Sequence, residues 1–217
     1  MSISVLLADD HTLFREGMRS LLHKELNIKV VGEAENGREA VKLALELKPD
    51  VIVMDITMPD LNGMEATRKI KKVIPQTKVI CLSMHSDRRY VVDMFRAGAT
   101  GYLIKSCAYK ELNNAIHIVA ANQVYISPQI AHIIVDAGIG EQQPKNGNIK
   151  WTLTPREREI LQLIAEGKNT KYIAHHLHKS TKTVETHRRN IMKKLKLTSI
   201  AELTKFAINE GIISLDS

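Results

Sequence analysis

The sequence predicts an α/β domain, a five-stranded doubly wound parallel sheet, followed by a small all-α helix-turn-helix domain. Three observations carry this: β-branched runs alternating with helical patterns over roughly the first 120 residues, a Gly- and Pro-bearing stretch near residue 140, and clear helix punctuation beyond it. With 217 residues the chain has room for two small domains. Its 44% apolar and 25% charged residues give the balance of a packed globular protein rather than a disordered or fibrous one. There is no apolar run of about 18 residues, and the opening MSISVLLADDHTLFRE has no basic lead-in. We therefore expect a cytoplasmic protein. Cys81 and Cys107 are the two cysteines, too few for a disulfide framework or a four-cysteine zinc site.

The strands are expected at Ser4–Ala8, Val30–Ala34, Val51–Met54, Val79–Leu82 and Gly101–Ile104, each a short run rich in β-branched or apolar residues. Between them the apolar positions take the helical period, as in Leu13, Phe14, Met18, Leu21 and Leu22, and again in Ala40, Leu43, Ala44 and Leu47. Strand–helix alternation implies a parallel sheet covered on both faces, whose ligands gather beyond the carboxyl ends of the strands. The sequence places Asp9 and Asp10 after the first strand, Asp55 after the third, Ser83 after the fourth and Lys105 after the fifth. A single Asp at a strand end is ordinarily a helix cap, and Lys105 alone would be an ordinary solvated end. Three acids converging on one rim are different, because they repel unless a cation joins them. Hard oxygen ligands suit Mg²⁺, which retains waters and leaves room for a phosphate. No Walker loop and no G-x-G-x-x-G is present, so the phosphoryl group must come from something other than a bound nucleoside triphosphate.

The motifs LLADDH (Leu6–His11), VIVMDITMPDLNG (Val51–Gly63), CLSMH (Cys81–His85) and GATGYLIK (Gly98–Lys105) make this region resemble the receiver domain of two-component response regulators, over about Ser2 to Gln123. The resemblance implies the flavodoxin-like strand order and a phosphoacceptor at Asp55, supplied by a sensor histidine kinase. It implies Mg²⁺ held by Asp9, Asp10, Asp55 and the backbone carbonyl of Thr57, with Lys105 and Ser83 on the phosphoryl oxygens. Ser83 and Tyr102 would act as the switch pair, although Tyr102 can also be read as plain packing at the sheet edge. Ser106 follows Lys105 where the wider superfamily often has Pro. Ala108-Tyr109 stands where relatives often carry Ser-Pro, which predicts a weakly capped start to the fifth helix.

From Gly138 to Lys150 the chain has three Gly, one Pro and almost no large apolar residue, so we expect a flexible linker. The expected boundaries are a receiver at 1–125, a short helix and flexible linker at 126–150, and a helix-turn-helix domain at 151–217. The formal charge of +7 is not evenly spread. Between Lys179 and Lys196 stand Lys179, Lys182, Arg188, Arg189, Lys193, Lys194 and Lys196 against Glu185 alone. A polyanionic partner for this segment follows.

Thr154-Pro155-Arg156-Glu157 reads as a capping box with proline at N1, starting a helix over roughly Pro155–Glu166 that stops at Gly167-Lys168. Asn169 caps a second, short helix with Ile173, Ala174 and Leu177 inward. His178-Lys179 turns the chain, and Ser180 caps a third. This is a helix-turn-helix. In the third helix Val184, Ile191 and Leu195 face the core with His187, while Lys182, Glu185, Thr186, Arg189 and Lys193 share the opposite face. Such a charged face is often merely solvated, but here its charge is nearly of one sign. His175, His176 and His178 lack a Cys or close acid to complete a zinc set and read as polar surface.

Leu153–Gly167, Tyr172–Leu177 and Ser180–Leu195 together resemble the LuxR-type DNA-binding domain, over about Leu153 to Ile212, and with the receiver the chain looks like the NarL/FixJ group. The resemblance implies that Glu185, Thr186 and Arg189 meet bases of double-stranded DNA, while Lys182, Thr183, Arg188 and Lys193 contact phosphates. A last helix near Ser199–Asn209 would supply a homodimer contact through Leu203. The leading expectation is a phosphorylation-switched transcription regulator that catalyses only its own phosphorylation and dephosphorylation. A Mg²⁺-dependent phosphohydrolase is the second reading, weakened because Thr57 stands where such enzymes carry a second carboxylate. A constitutive DNA binder with a silent receiver is the third.

Overall fold

The computed structural model describes residues 2–84, 86, 88–131 and 153–213. The chain divides into two compact units, Met1–Glu141 and Gln142–Ser217. The stretch expected as a flexible linker lies outside the described residues.

The first unit alternates strand and helix: β1 (Ile3–Ala8), α1 (Thr12–Leu22), β2 (Ile28–Ala34), α2 (Gly37–Leu47), β3 (Val51–Asp55), α3 (Gly63–Val73), β4 (Lys78–Ser83), α4 (Arg88–Ala97), β5 (Gly101–Ile104), α5 (Ala108–Ala120) and β6 (Tyr125–Ile126). The strands pair in parallel in the order β2-β1-β3-β4-β5-β6. All five expected strands are present in the expected order, and β6 is an addition. Two residues are too few for an alternation signal. Its pairing is made by main chain: the Tyr125 N–H bonds the Thr100 carbonyl at 3.1 Å and the Ser127 N–H the Tyr102 carbonyl at 2.9 Å. Of the short helix expected after residue 126, the described part is a 3₁₀ turn at Pro128–Ile130.

Because successive strand residues point to opposite faces, β1 and β3 feed two cores. Val5, Leu7, Val51 and Val53 pack on one side with Met18 and Leu22 of α1 and with Leu112, Ala115 and Ile116 of α5. Leu6, Ala8, Ile52 and Met54 pack on the other with Ala40 and Ala44 of α2 and Ala66 and Ile70 of α3. All five residues of β3 are buried, so its position in mid-sheet is fixed by apolar burial on both faces. Each Val, Leu or Ile so buried contributes about 1.5–3 kcal/mol. The helical reading errs at Leu13, which is 84% exposed, and position 15 is the buried one. Asn36 and Asn62 cap α2 and α3, accepting the Glu39 and Glu65 N–H groups at 2.9 and 3.0 Å. At the start of α5, Ala108 is buried behind a 3₁₀ turn at Lys105–Cys107, and Tyr109 meets Phe14 edge-on at 5.6 Å.

The second unit contains α6 (Pro155–Ala165), α7 (Thr170–His176), α8 (Thr181–Leu195) and α9 (Ile200–Asn209). The Thr154/Glu157 capping box and the Asn169 and Ser180 caps form as the sequence indicates. Ser199 and Glu202 make a second capping box on α9. Ile160, Leu161, Leu163 and Ile164 of α6 share one core with Ile173, Ala174, Val184, Ile191, Leu195, Leu203 and Ala207. Leu203, expected with its apolar neighbours at a dimer contact, has no exposed surface and belongs to its own domain's core. Among the described residues, no helix is long and apolar enough to cross a membrane.

Candidate functional site

The parallel sheet brings Asp9, Asp55, Ser83 and Lys105 to one edge, because each immediately follows or ends its strand: β1, β3, β4 and β5. Asp9 and Asp55 are 0% and 2% exposed, Ser83 1% and Lys105 7%, so this is an interior cluster rather than a solvated rim. The Lys105 ammonium donates to Asp55 Oδ2 at 2.8 Å and stands 2.9 Å from Asp9 Oδ2. Asp10 and His11 join them. His11 Nδ1 lies 3.0 Å from Asp10 Oδ1 and 3.3 Å from Asp9 Oδ1, and one ligand atom from each of Asp9, Asp10, His11 and Asp55 falls within 4.8 Å of the others.

Electrostatics show what the cluster can hold. Burial raises the Asp55 carboxyl to about 7; Lys105 opposes this, and the charges of Asp9 and Asp10 add to it. Burial alone would lower the Lys105 ammonium, but Asp55 and Asp9 outweigh it and hold Lys105 above the ordinary lysine range. Asp10 Oδ1 is buried and, although His11 Nδ1 stands 3.0 Å away, the angles there make no hydrogen bond. One ammonium against three carboxylates, with an orphaned carboxylate oxygen, is a donor set that fits a small divalent cation with oxygen ligands. Cys81, beneath the cluster on β4, is fully buried, and burial pushes its thiol well up, with Asp55 adding to the shift. It is an apolar filler.

The backbone around Asp55 is clamped. The Ile56 N–H bonds the Leu82 carbonyl at 3.2 Å, and the Gly63 N–H bonds the Ile56 carbonyl at 2.9 Å. A Cβ at Gly63 would lie 1.8 Å from the Asp55 carbonyl oxygen, so only glycine lets α3 start this close to the site. Thr57 lies in the loop between β3 and α3 and is half-buried. Tyr102 is wholly buried, in one cluster with Ile56, Met64, Met94 and Ile130; with β6 beside it, β5 is not an edge strand.

In the second unit, α8 turns Val184, Ile191 and Leu195 into the core and leaves Lys182, Glu185, Thr186, Arg189 and Lys193 exposed on the opposite side. Thr183 and Arg188 are half-buried flanks. The Thr183 N–H and hydroxyl are engaged by Ser180 Oγ, and the Thr186 hydroxyl donates to the Lys182 carbonyl at 2.9 Å. Arg188 borders an open cleft of about 330 Å³ floored by Ile164, Ile173, Val184 and Ile200. Arg156 ties α6 to the end of α7 through the Leu177 carbonyl at 3.0 Å, and His178, at φ 50°, makes the tight turn into α8.

Comparison with known proteins decides the family. Residues 5–117 match the response regulator receiver domain, and residues 151–207 match the bacterial regulatory proteins of the luxR family. The chain belongs to the response regulators. It is 35% identical over 226 residues to the transcriptional regulatory protein DegU of Brevibacillus brevis, spanning 98% of this chain and 96% of that one. To the response regulator GacA of Pseudomonas aeruginosa it is 38% identical over 216 residues, covering 99% of this chain and 100% of that one. A solved structure of the Salmonella typhimurium response regulator RcsB matches with a TM-score of 0.57 at 25% identity, covering 94% of this chain and 97% of that one. This response regulator is therefore a DNA-binding transcriptional regulator.

Sequence reasoning missed three residues of the regulator's site. Phe14 lies under the Lys105 ammonium, 5.1 Å from Nζ to ring centroid. Gly63 makes room behind Asp55, and Arg15 bonds the Asp9 carbonyl at 2.6 Å. Arg15 left a legible sign: it stands three residues before Met18 and seven before Leu22, on the buried face of α1.

Proposed function

We propose that this regulator is switched by phosphoryl transfer from a histidine kinase to Asp55. The observation that carries the reading is the Lys105 ammonium, buried and bridging Asp55 and Asp9 beside the half-buried Asp10. Asp9, Asp10, Asp55 and the Thr57 backbone carbonyl are the residues that would hold Mg²⁺. A bound Mg²⁺ would neutralise charge on the transferring phosphoryl oxygens.

The chain's own residues do the rest. An Asp55 carboxylate oxygen attacks phosphorus as the phosphorus–nitrogen bond to the donor imidazole breaks, and the imidazole leaves with the bonding pair. Lys105 moves its contact from carboxylate to phosphoryl oxygen, and Ser83, one residue beyond Asp55's register partner Leu82, donates its hydroxyl to another. The acyl phosphate is later hydrolysed by water at the same atoms, so the protein turns over only its own phosphoryl group. Tyr102, buried on the strand next to Ser83, transmits the change, and the DNA-binding domain is freed or dimerised as a result.

For DNA, the exposed side of α8 enters the major groove. Glu185, Thr186 and Arg189 read base edges, and Lys182, Thr183, Arg188 and Lys193 meet phosphates. We take the domains to be a receiver over 1–125, a short helix and flexible linker over 126–150 and the DNA-binding domain over 151–217, a division supported by family matches at 5–117 and 151–207. The test is Asp55→Asn in the full chain, with duplexes selected from a random pool. A phosphodonor should strengthen binding by the wild type and leave the variant unchanged. Equal stimulation of both would refute the reading.

A further inference from the structure

An arginine on the buried face of α1 supports the acid cluster from behind. Arg15 is 6% exposed, and a guanidinium there is costly unless its donors are met. Each nitrogen has its own acceptor. Nε lies 3.2 Å from Glu33 Oε2, Nη2 lies 2.9 Å from Glu35 Oε1, and Nη1 donates to the Asp9 carbonyl at 2.6 Å. Glu33 belongs to β2 and Glu35 immediately follows it, so both anchors sit at the end of that strand. Arg19 adds a second hold on Glu33 at 3.1 Å.

The carbonyl that Arg15 grips is a consequential one. β1 ends at Ala8, and the Asp9 N–H still bonds the Ala34 carbonyl at 3.1 Å while the chain turns through Asp10 into α1. On the acid's other side, the His11 N–H closes on Asp9 Oδ1 at 2.9 Å. A buried carbonyl at a strand end needs a donor, and Arg15 supplies it. Fixing this carbonyl fixes the peptide plane between Asp9 and Asp10, and with it the directions in which the two carboxylates leave the backbone. A lysine ammonium lacks the planar fork that meets three acceptors at once.

We propose that Arg15 is a positioning residue for phosphoryl transfer: through the Asp9 carbonyl it sets the spacing at which the Asp9 and Asp10 carboxylates meet a divalent cation. The inference rests on the metal-assisted reading of the cluster given above. Arg15 itself touches neither the cation nor the phosphoryl group, and Glu33 and Glu35 hold it in register.

The test uses full-length wild type, Arg15→Met and Arg15→Lys, with Mg²⁺ binding measured by titration calorimetry and phosphorylation by a small acyl phosphate followed separately. Groups that orient metal ligands are worth about 10- to 100-fold in affinity, so we expect roughly tenfold weaker Mg²⁺ binding in Arg15→Met and a smaller loss in Arg15→Lys. Circular dichroism at the assay temperature should be unchanged, and saturating Mg²⁺ should restore most of the phosphorylation rate. General loosening of the fold would not produce that split between affinity and rate. If Arg15→Met does not fold, Glu35→Gln, which leaves the Asp9 bond but weakens its anchor, should still lower Mg²⁺ affinity severalfold. Wild-type Mg²⁺ affinity in the folded variants, or a rate loss that Mg²⁺ does not restore, would overturn the proposal. A wild type that neither binds Mg²⁺ nor accepts a phosphoryl group would instead overturn the reading of the cluster.

Discussion

Gly63→Ala is a one-carbon change whose cost can be worked from the structure. The added Cβ would sit 1.8 Å from the Asp55 carbonyl oxygen and 2.9 Å from both its carbon and Met54 Cγ, where ordinary contact begins at 3.4 Å. The backbone must therefore open by 3.4 − 1.8, or 1.6 Å, at the point where the Gly63 N–H meets the Ile56 carbonyl at 2.9 Å. Losing that bond costs about 1 kcal/mol, and overpacking adds about 1–3 kcal/mol. The sum, about 2–4 kcal/mol, accelerates exchange of amides that open with the receiver core by roughly 30- to 1000-fold. Hydrogen exchange of β3 and β4, read by mass spectrometry on the full chain, isolates this unit from the other. Gly167→Ala is the matched control. It has no atom within 4 Å of a Cβ, only a φ of +77°, so it should cost about 1–2 kcal/mol at the end of α6 and leave β3 and β4 untouched. Exchange in Gly63→Ala within threefold of wild type would refute the steric argument.

Three further outcomes follow from named contacts. Burial opposes ionisation of Glu157, but the Lys194 ammonium at 2.7 Å and the Thr154 N–H outweigh it and hold the carboxyl below the ordinary glutamate value. Its stabilising contribution is thus complete above that ordinary value and lost as pH falls through the lower folded one, so the stability gap between wild type and Lys194→Met should narrow on acidification, as denaturant titrations from pH 6 to 3 would measure. Glu111 accepts from Tyr125 at 3.0 Å and from buried Ser127 at 2.7 Å, and Glu111→Ala should release β6, raising exchange at the Tyr125 and Ser127 amides by about tenfold. A dimer with about four phosphate contacts per subunit should show a log K against log salt slope near −7, and Arg189→Ala should weaken binding in the same fluorescence-anisotropy titration.

Most of the fold was legible because it rests on local rules. Burial on both faces makes β3 a continuous apolar run, and the caps at Thr154, Asn169 and Ser180 depend on residues three positions apart. Asp9, Asp55, Ser83 and Lys105 were legible as a set because parallel strands deliver their carboxyl ends to one edge. What stayed hidden depends on contacts between distant residues. β6 is made by main-chain bonds to β5, the role of Gly63 depends on how closely α3 approaches Asp55, and the burial of Leu203 depends on α6. Leu13 was misread because its apolar side chain was counted without its position: it stands five residues before Met18, off the stripe that Arg15, Met18 and Leu22 share.

The two units use charge in opposite ways, and this separates their sensitivities. In the receiver the decisive groups, Asp9, Arg15, Asp55 and Lys105, are each at most 7% exposed and interact over about 3 Å, so mobile ions cannot enter between them. On α8, Lys182, Arg189 and Lys193 stand in solvent and act through a field that salt of about 0.1 M screens beyond roughly 10 Å. Raising ionic strength should therefore strip the regulator from DNA at salt concentrations that leave the phosphoryl transfer proposed at Asp55 nearly unchanged. Burial makes this separation necessary. A reader of DNA needs charges that release counterions, whereas a phosphoacceptor carboxylate needs neighbours whose geometry holds while its one negative charge becomes about two.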